Sequence, residues 1–184
     1  MGKDIQKLKY YLSLRWRQIS IIFFSSIWIG SIPCCAKSYP FKINRERNVV
    51  ISQSSAPGTK IVKVVSLAGN AKKAINLALQ DAVYASLFIG ISGNGEFESV
   101  PAILFDGQKA YQDNKKVFNR FFKKGEFMSY AHLVNSEFPS GKNNVSSPQG
   151  RKVTVYVVVE YSKLLDLFDG MGIKTYTSIF KTSK

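Results

Sequence analysis

The stretch NAKKAINLALQDAVYASLFIG, residues 70–90, decides the fold of this 184-residue chain. Its small and apolar residues recur at the three- and four-residue spacing of one helical face. Asn70 is a favourable N-cap, and Gly90 is a natural stop for a helix. Because the face is mostly alanine, a neighbouring layer can approach it closely, and we predict a long helix packed on a β-sheet. The residues of that face are Ala71, Ala74, Ile75, Ala78, Leu79, Ala82, Ala85, Ser86 and Ile89.

Runs of β-branched residues before and after this helix predict the strands of the sheet. The run RKVTVYVVV, residues 151–159, is the strongest, and its near-continuous apolar character predicts a central strand covered on both faces. Residues 135–150 form turns throughout and predict a loop. The remaining predicted strands are 48–52, 60–67 and 127–134, and further helices are predicted at 108–124 and 162–168.

These elements predict an α+β fold of two layers. We expect a sandwich with one antiparallel or mixed sheet of three to five strands, on which the long alanine-rich helix and a second helix pack.

Residues 1–36 have the composition of a secretory signal. Five basic residues and one acid precede an apolar run at 19–32, and Pro33-Cys34-Cys35-Ala36 closes the run with a break and small residues. The run is 14 residues long, whereas a membrane-spanning helix needs roughly 20. We therefore favour a cleaved signal peptide and expect an exported protein.

Two alternatives to this interpretation stay open. An uncleaved single-pass helix would have to enclose Arg15 and Arg17. A lipoprotein signal would place the lipid on Cys34 or Cys35, although a proline this close to the cut suits neither cysteine. If the signal is cleaved after residue 36, the mature chain has no cysteine and therefore no disulfide.

The remaining 148 residues have the size of one domain. We predict a linker at 37–47, a single α+β domain at 48–173 and a basic tail at 174–184. Because residues 1–36 contain five of the 26 basic and one of the 12 acidic residues, the rest carries a net charge of +10. Such a charge favours an acidic partner, and export argues against nucleic acid. A solvated basic surface is the alternative.

A family resemblance rests on the pattern N-x3-A-x3-A-x2-D-A-V at 70–83, continued by F-x-G at 88–90. It resembles the opening helix of small envelope domains of Gram-negative bacteria, which include the N-terminal domain of the flagellar T-ring assembly protein and a related outer-membrane lipoprotein family. The stretches FFKKGEFMSY at 121–130 and VVV-x3-KLL at 157–165 are similar to uncharacterised secreted proteins of Bacteroidota.

The matching pieces span roughly residues 60–173. The resemblance implies a strand–helix–strand–strand–helix module that takes part in assemblies, located in the periplasm or at the outer membrane. It implies no catalytic residues. The chain departs from the lipoproteins in the residues around its two cysteines.

The sequence also lacks patterns of catalysis and metal binding. His132 is the only histidine and cannot build a zinc site once the cysteines leave with the signal. There is no G-x-S-x-G elbow, and the glycines of 90–95 match neither a phosphate loop nor a dinucleotide fingerprint. The acids are scattered, and we interpret Asp81 as a hydrogen-bonding residue on the fringe of the long helix. We expect no enzyme and no cofactor.

One stretch, FNRFFKK at 118–124, is a candidate interaction site because its aromatics are flanked by cations. The alternative is an ordinary amphipathic helix with the aromatics in the core. The cations of the candidate site are Lys115, Lys116, Arg120, Lys123 and Lys124.

The function that we predict is a non-enzymatic envelope module whose partners are envelope proteins or further copies of the chain. The alternative is a secreted binder of an acidic ligand, such as anionic lipid or polysaccharide, through its basic surface.

Overall fold

The structure is a computed structural model that describes residues 41–42, 46–53, 55–135 and 137–181. These residues belong to one unit, Lys37–Lys184. The predicted signal peptide at 1–36, with the lipidation candidates Cys34 and Cys35, lies outside the described residues.

Five strands form one antiparallel sheet. They are β1 (Asn48–Gln53), β2 (Lys60–Ala68), β3 (Ala131–Leu133), β4 (Asn144–Ser147) and β5 (Gly150–Val159). The order is β1-β2-β5-β3, and β4 also pairs with β5. Since β3 pairs with 157–159 and β4 with 150–153, both lie along the same edge of β5. The predicted central position of β5 is therefore confirmed.

The helices lie against one side of the sheet or at its margin. They are α1 (Ala71–Tyr84), α2 (Gly107–Asp113), α3 (Lys115–Lys123), α4 (Tyr161–Gly170) and α5 (Tyr176–Lys181), and a π-turn (Ala85–Ile89) continues α1. The predicted α+β two-layer sandwich is confirmed.

Helix α1 forms as its sequence predicts. Asn70 caps it by accepting a hydrogen bond from the Lys73 N–H at 2.9 Å. Ala74, Ala78 and Ala82 are fully buried against the sheet. The prediction fails at Ile89, which is 64% exposed. The π-turn adds a residue to the last turn and rotates Ile89 away from the buried face.

The core continues from α1 into a cluster of aromatic rings. Phe118, Phe122, Phe127 and Phe168 are fully buried. The ring of Phe41 stacks on Phe122 with centroids 4.2 Å apart. Phe41 lies in the segment predicted to be a linker, so part of that segment packs as core.

The structure differs from the predicted elements in four further places. The helix predicted at 108–124 is divided at Asn114, whose side-chain amide donates to the Ala110 carbonyl at 3.1 Å. The strand predicted at 127–134 is short because a 3-10 turn occupies Glu126–Ser129. The predicted loop at 135–150 contains β4, and the predicted basic tail contains α5.

The prediction that β5 is covered on both faces is wrong. Val153, Val155, Val157 and Val159 are buried under α1 and its neighbours, whereas Tyr156 between them is 43% exposed. Helices cover one face of the sheet only, so side chains on alternate positions of β5 meet two different environments.

Candidate functional site

The predicted basic site lies on α3. All five of its cations are exposed, and Lys124 stands one residue beyond the helix as its C-cap. The aromatics Phe118, Phe121 and Phe122 point into the core instead. The structure therefore places all five cations in solvent and separates them from the aromatics that were predicted to act beside them.

The cations of α3 differ in position and in pairing. Lys116, Arg120, Lys123 and Lys124 share one stripe, and Lys115 stands apart from them because each residue turns a helix by ~100°. Arg120 Nε lies 3.5 Å from Glu126 Oε1, an exposed contact that solvent screens. Within the described ranges the four lysines form no ion pair.

His132 is an exposed residue of β3. Among the described residues, no three His, Cys, Asp or Glu side chains group closely enough to hold a metal ion.

Asp81 makes the hydrogen bonds expected of it, but it is buried and not on the fringe of the helix. Arg47 Nε donates to its Oδ1 and Ser66 Oγ donates to its Oδ2, each at 3.1 Å. The Arg47 guanidinium also covers the Tyr84 ring at 3.5 Å from the centroid, and burial lowers the pKa of Arg47. These contacts connect the residues before β1 to α1 and β2, which is a structural role.

Sequence reasoning missed a second surface, the sheet face opposite the helices. We call it the open face. Its strand residues are Val50, Ile61, Lys63, Val65, Leu67, His132, Val145, Lys152, Thr154, Tyr156 and Val158.

Large apolar side chains on the open face are in contact with solvent. Leu67, Val134, Val145 and Tyr156 are each between 37% and 48% exposed. Val134 joins the face because its N–H donates to the Tyr156 carbonyl at 2.9 Å, which continues the pairing of β3 with β5. Phe138, in the following loop, is 57% exposed.

Tyr156 is the centre of the open face. It lies opposite Lys63 in the pairing of β2 with β5. It lines two shallow pockets, one of about 190 Å³ with Val134 and Phe138 and one of about 410 Å³ with Val50 and Val65. A half-exposed aromatic that lines two neighbouring pockets is a suitable anchor for a partner surface.

A signal for the open face is present in the sequence. Thr154 and Tyr156 interrupt the valines of β5 at every second position, and Lys63 does the same in β2. Alternation of this kind is typical of a strand with one solvated face. The run of three valines at 157–159 masks the alternation.

No helix among the described residues is long and apolar enough to cross a membrane. Comparison with family models, with curated proteins and with solved structures finds no match for this chain.

Proposed function

We propose that this chain is a non-enzymatic interaction module of the Gram-negative cell envelope, exported to the periplasm or the outer membrane, and that it binds another envelope protein. The open face is the observation that carries the proposal. The signal-like residues 1–36 and the resemblance to envelope domains support the location.

The open face concentrates the exposed apolar surface of the described residues. Nine large hydrophobic side chains of the described residues are exposed, and five of them, Leu67, Val134, Phe138, Val145 and Tyr156, lie on this face or in its bordering loop. A concentration of exposed apolar side chains on one face of a domain is typical of a site of interaction. Helices already cover the opposite face of the same sheet, so only the open face is available to a partner.

Charge on the open face narrows the chemistry of the partner. Lys63 and Lys152 stand among the apolar side chains, and none of the five described strands contains Asp or Glu. A partner that complements this face would be apolar at its centre and acidic at its rim. The apolar centre would give an interface that persists at high ionic strength, while the rim contacts would weaken.

Site-specific photo-crosslinking in cells tests this proposal. A photoreactive aromatic replaces Tyr156 in the full-length chain, and a matched chain carries it at Asp166, an exposed position of α4. We expect a discrete crosslinked envelope protein from position 156 and none from position 166. Equal products from both positions, or no product from position 156, would contradict the proposal. A crosslinked product of twice the chain mass would show that the partner is a second copy of the chain and not another envelope protein.

The second candidate function, binding of an acidic ligand, is favoured by the lysines on α3 that form no ion pair within the described ranges. Changing Lys115, Lys116, Arg120, Lys123 and Lys124 to Glu tests it. Each exposed substitution changes stability by only about 0.5 kcal/mol, so binding can be read separately from folding. Vesicles of phosphatidylglycerol should capture the parent at low salt and release the variant. If the vesicles capture the variant as well as the parent, the cations of α3 are an ordinary solvated surface and not a binding site.

A further inference from the structure

A cleft of about 730 Å³ opens beside the π-turn, where α1, α2 and α3 meet. Its volume falls in the range of small-molecule sites, roughly 300 to 1,000 Å³. Three aromatic rings line it, those of Tyr84, Phe88 and Tyr111, together with the carboxamides of Gln108 and Gln112 and the ammonium group of Lys115. An apolar wall with a few polar groups is the usual composition of such a site.

Local backbone geometry shapes the cleft. The π-turn turns Ile89 outward, where it lines the cleft while remaining 64% exposed. Gly107 lets α2 begin directly against the π-turn, since a Cβ atom there would lie 2.6 Å from the Phe88 carbonyl oxygen. A larger residue at position 107 would push α2, with Gln108 and Tyr111, away from the rings of α1.

Tyr84 supplies a hydrogen-bond donor whose capacity is unused in the described part of the chain. Its side chain lines the cleft and is only 7% exposed. The ring is fixed by the Arg47 guanidinium at 3.5 Å and by Phe88 at a centroid distance of 4.7 Å. The Tyr84 hydroxyl makes no hydrogen bond to any described residue. Burial raises the pKa of Tyr84 above its ordinary value.

The charge at the cleft has one sign. Lys115 is the only charged residue that lines it, and within the described ranges Lys115 forms no ion pair. Asp113, the acid nearest to Lys115 in the chain, is held by Lys109 at 2.9 Å. A cation beside an aromatic wall complements an anionic head on an apolar body.

We propose that this cleft binds a small amphipathic carboxylate, with its apolar body against the rings of Tyr84, Phe88 and Tyr111, its carboxylate at Lys115, and the Tyr84 hydroxyl donating a hydrogen bond to the same carboxylate. The site lies on the helical side of the domain, away from the open face, and the inference is independent of the proposed function.

Calorimetric titration of the full-length chain with three isosteres tests the ligand chemistry. The probes are 4-phenylbutyrate, the neutral 4-phenylbutan-1-ol and the cationic 4-phenylbutylamine. We expect saturable 1:1 binding of the carboxylate, weaker binding of the alcohol by about tenfold, as for the loss of a charge-assisted hydrogen bond, and no binding of the amine. No saturable binding of 4-phenylbutyrate, or equal binding of acid and alcohol, would overturn the proposal.

Matched substitutions locate the binding. Lys115→Gln should weaken 4-phenylbutyrate about tenfold and leave the alcohol unchanged, whereas Lys116→Gln, one residue along the same exposed turn, should change neither. Ile89→Asp places a like charge at the rim and should abolish binding of the carboxylate, with Met171→Asp as its exposed apolar control. Equal losses in Lys115→Gln and Lys116→Gln would mean diffuse attraction to a basic surface and would overturn the assignment.

Tyr84→Phe separates recognition from folding. The substitution removes only the hydroxyl and keeps the ring that Arg47 covers. Because that hydroxyl has no hydrogen bond within the described residues, the melting temperature should not fall, while 4-phenylbutyrate should bind a few-fold more weakly. A lower melting temperature with unchanged binding would show that the hydroxyl acts in folding and not in recognition, and would remove Tyr84 from the site.

Discussion

The two faces of the sheet are made by the same strands and have opposite surroundings. On the covered face, the β5 valines at 153, 155, 157 and 159 and the α1 alanines Ala74, Ala78 and Ala82 exclude water almost completely. On the open face, Tyr156 and Leu67 are in contact with solvent. The small side chains of α1 let the helix lie close to the sheet, while the open face carries larger side chains that no helix covers.

Charged side chains also have different surroundings on the two sides of the sheet. The covered side contains a buried ion pair, Arg47 with Asp81, whose side chains are 4% and 3% exposed, and Ser66 donates a hydrogen bond to Asp81. The open face places Lys63 and Lys152 in solvent. A buried charge needs specific partners, whereas an exposed one needs only water. We therefore expect substitutions on the covered side to affect folding and those on the open face to affect binding.

The largest expected effect comes from placing a charge on the covered side. Ala82→Asp or Ala78→Asp puts a carboxylate where the parent residue is fully buried, at an expected cost of about 4 kcal/mol or more. Thermal melts followed by circular dichroism measure the loss. Lys72→Asp, an exposed change in the first turn of α1, is the control and should leave stability unchanged or slightly raised. Parent-like melting of Ala82→Asp would show that the face assignment is wrong.

Breaking the buried ion pair should have the next largest effect on stability. Asp81→Leu removes the carboxylate that Arg47 contacts at 3.1 Å, which should lower the free energy of unfolding by about 3 kcal/mol. The double variant Arg47→Met with Asp81→Leu should recover part of that loss, because neither charge of this pair is then left to desolvate. Urea titrations of the parent and the three variants give the coupling. A double variant no more stable than Asp81→Leu would contradict this account.

Adjacent residues of β5 offer the most direct comparison of the two faces. Val157→Ala removes buried methyl groups from the covered face and should cost about 2 kcal/mol. Tyr156→Ala removes a larger side chain from the open face but should cost only about 0.5 kcal/mol. Urea titration measures both free energies. Similar losses would mean that the open face is stabilised by contacts that its exposure does not reveal.

Alkaline pH ionises partly buried tyrosines without any substitution. Of the four changes, it should have the smallest effect on the free energy of unfolding. Burial raises the pKa of Tyr84 above the ordinary value of 10.0, and burial does the same for Tyr161. The unfolded chain therefore loses these protons first, so the contribution of the two tyrosines to stability is fully present below their ordinary pKa and is lost as the pH rises through the folded pKa values. Tyr84→Phe should flatten this decline in urea titrations from pH 9 to 11, and an unchanged slope would rule out Tyr84 as a cause.

Much of the fold follows from local patterns. The N-cap Asn70 and the alanine spacing predict α1, and the β-branched runs predict β2 and β5 with the central place of β5. The division of the second helix at Asn114 and the strand β4 were not predictable in this way. Asn114 is tolerated inside a helix by propensity alone, and the short NVSS run of β4 becomes a strand only because β5 supplies its partner.

The candidate sites were less accessible to sequence reasoning. Exposure of Lys116 and Arg120 follows from helical periodicity, and it is confirmed. The open face depends on which side of the sheet receives α1, and the cleft at Tyr84 depends on the π-turn and on the close approach of Gly107. These are tertiary features, and they bring together residues that no short motif connects.

The pairing of β2 with β5 bears on the order in which the chain folds. Its partners, from Ala68 with Arg151 to Lys60 with Val159, are about 80 to 100 residues apart in sequence, and contacts of such long range form slowly because a large loop must close first. During synthesis, α1 has no completed sheet to cover until β5 emerges. The five-stranded sheet therefore cannot be completed before residues 150–159 have been synthesised, although its first two strands lie about 80 residues or more earlier in the chain.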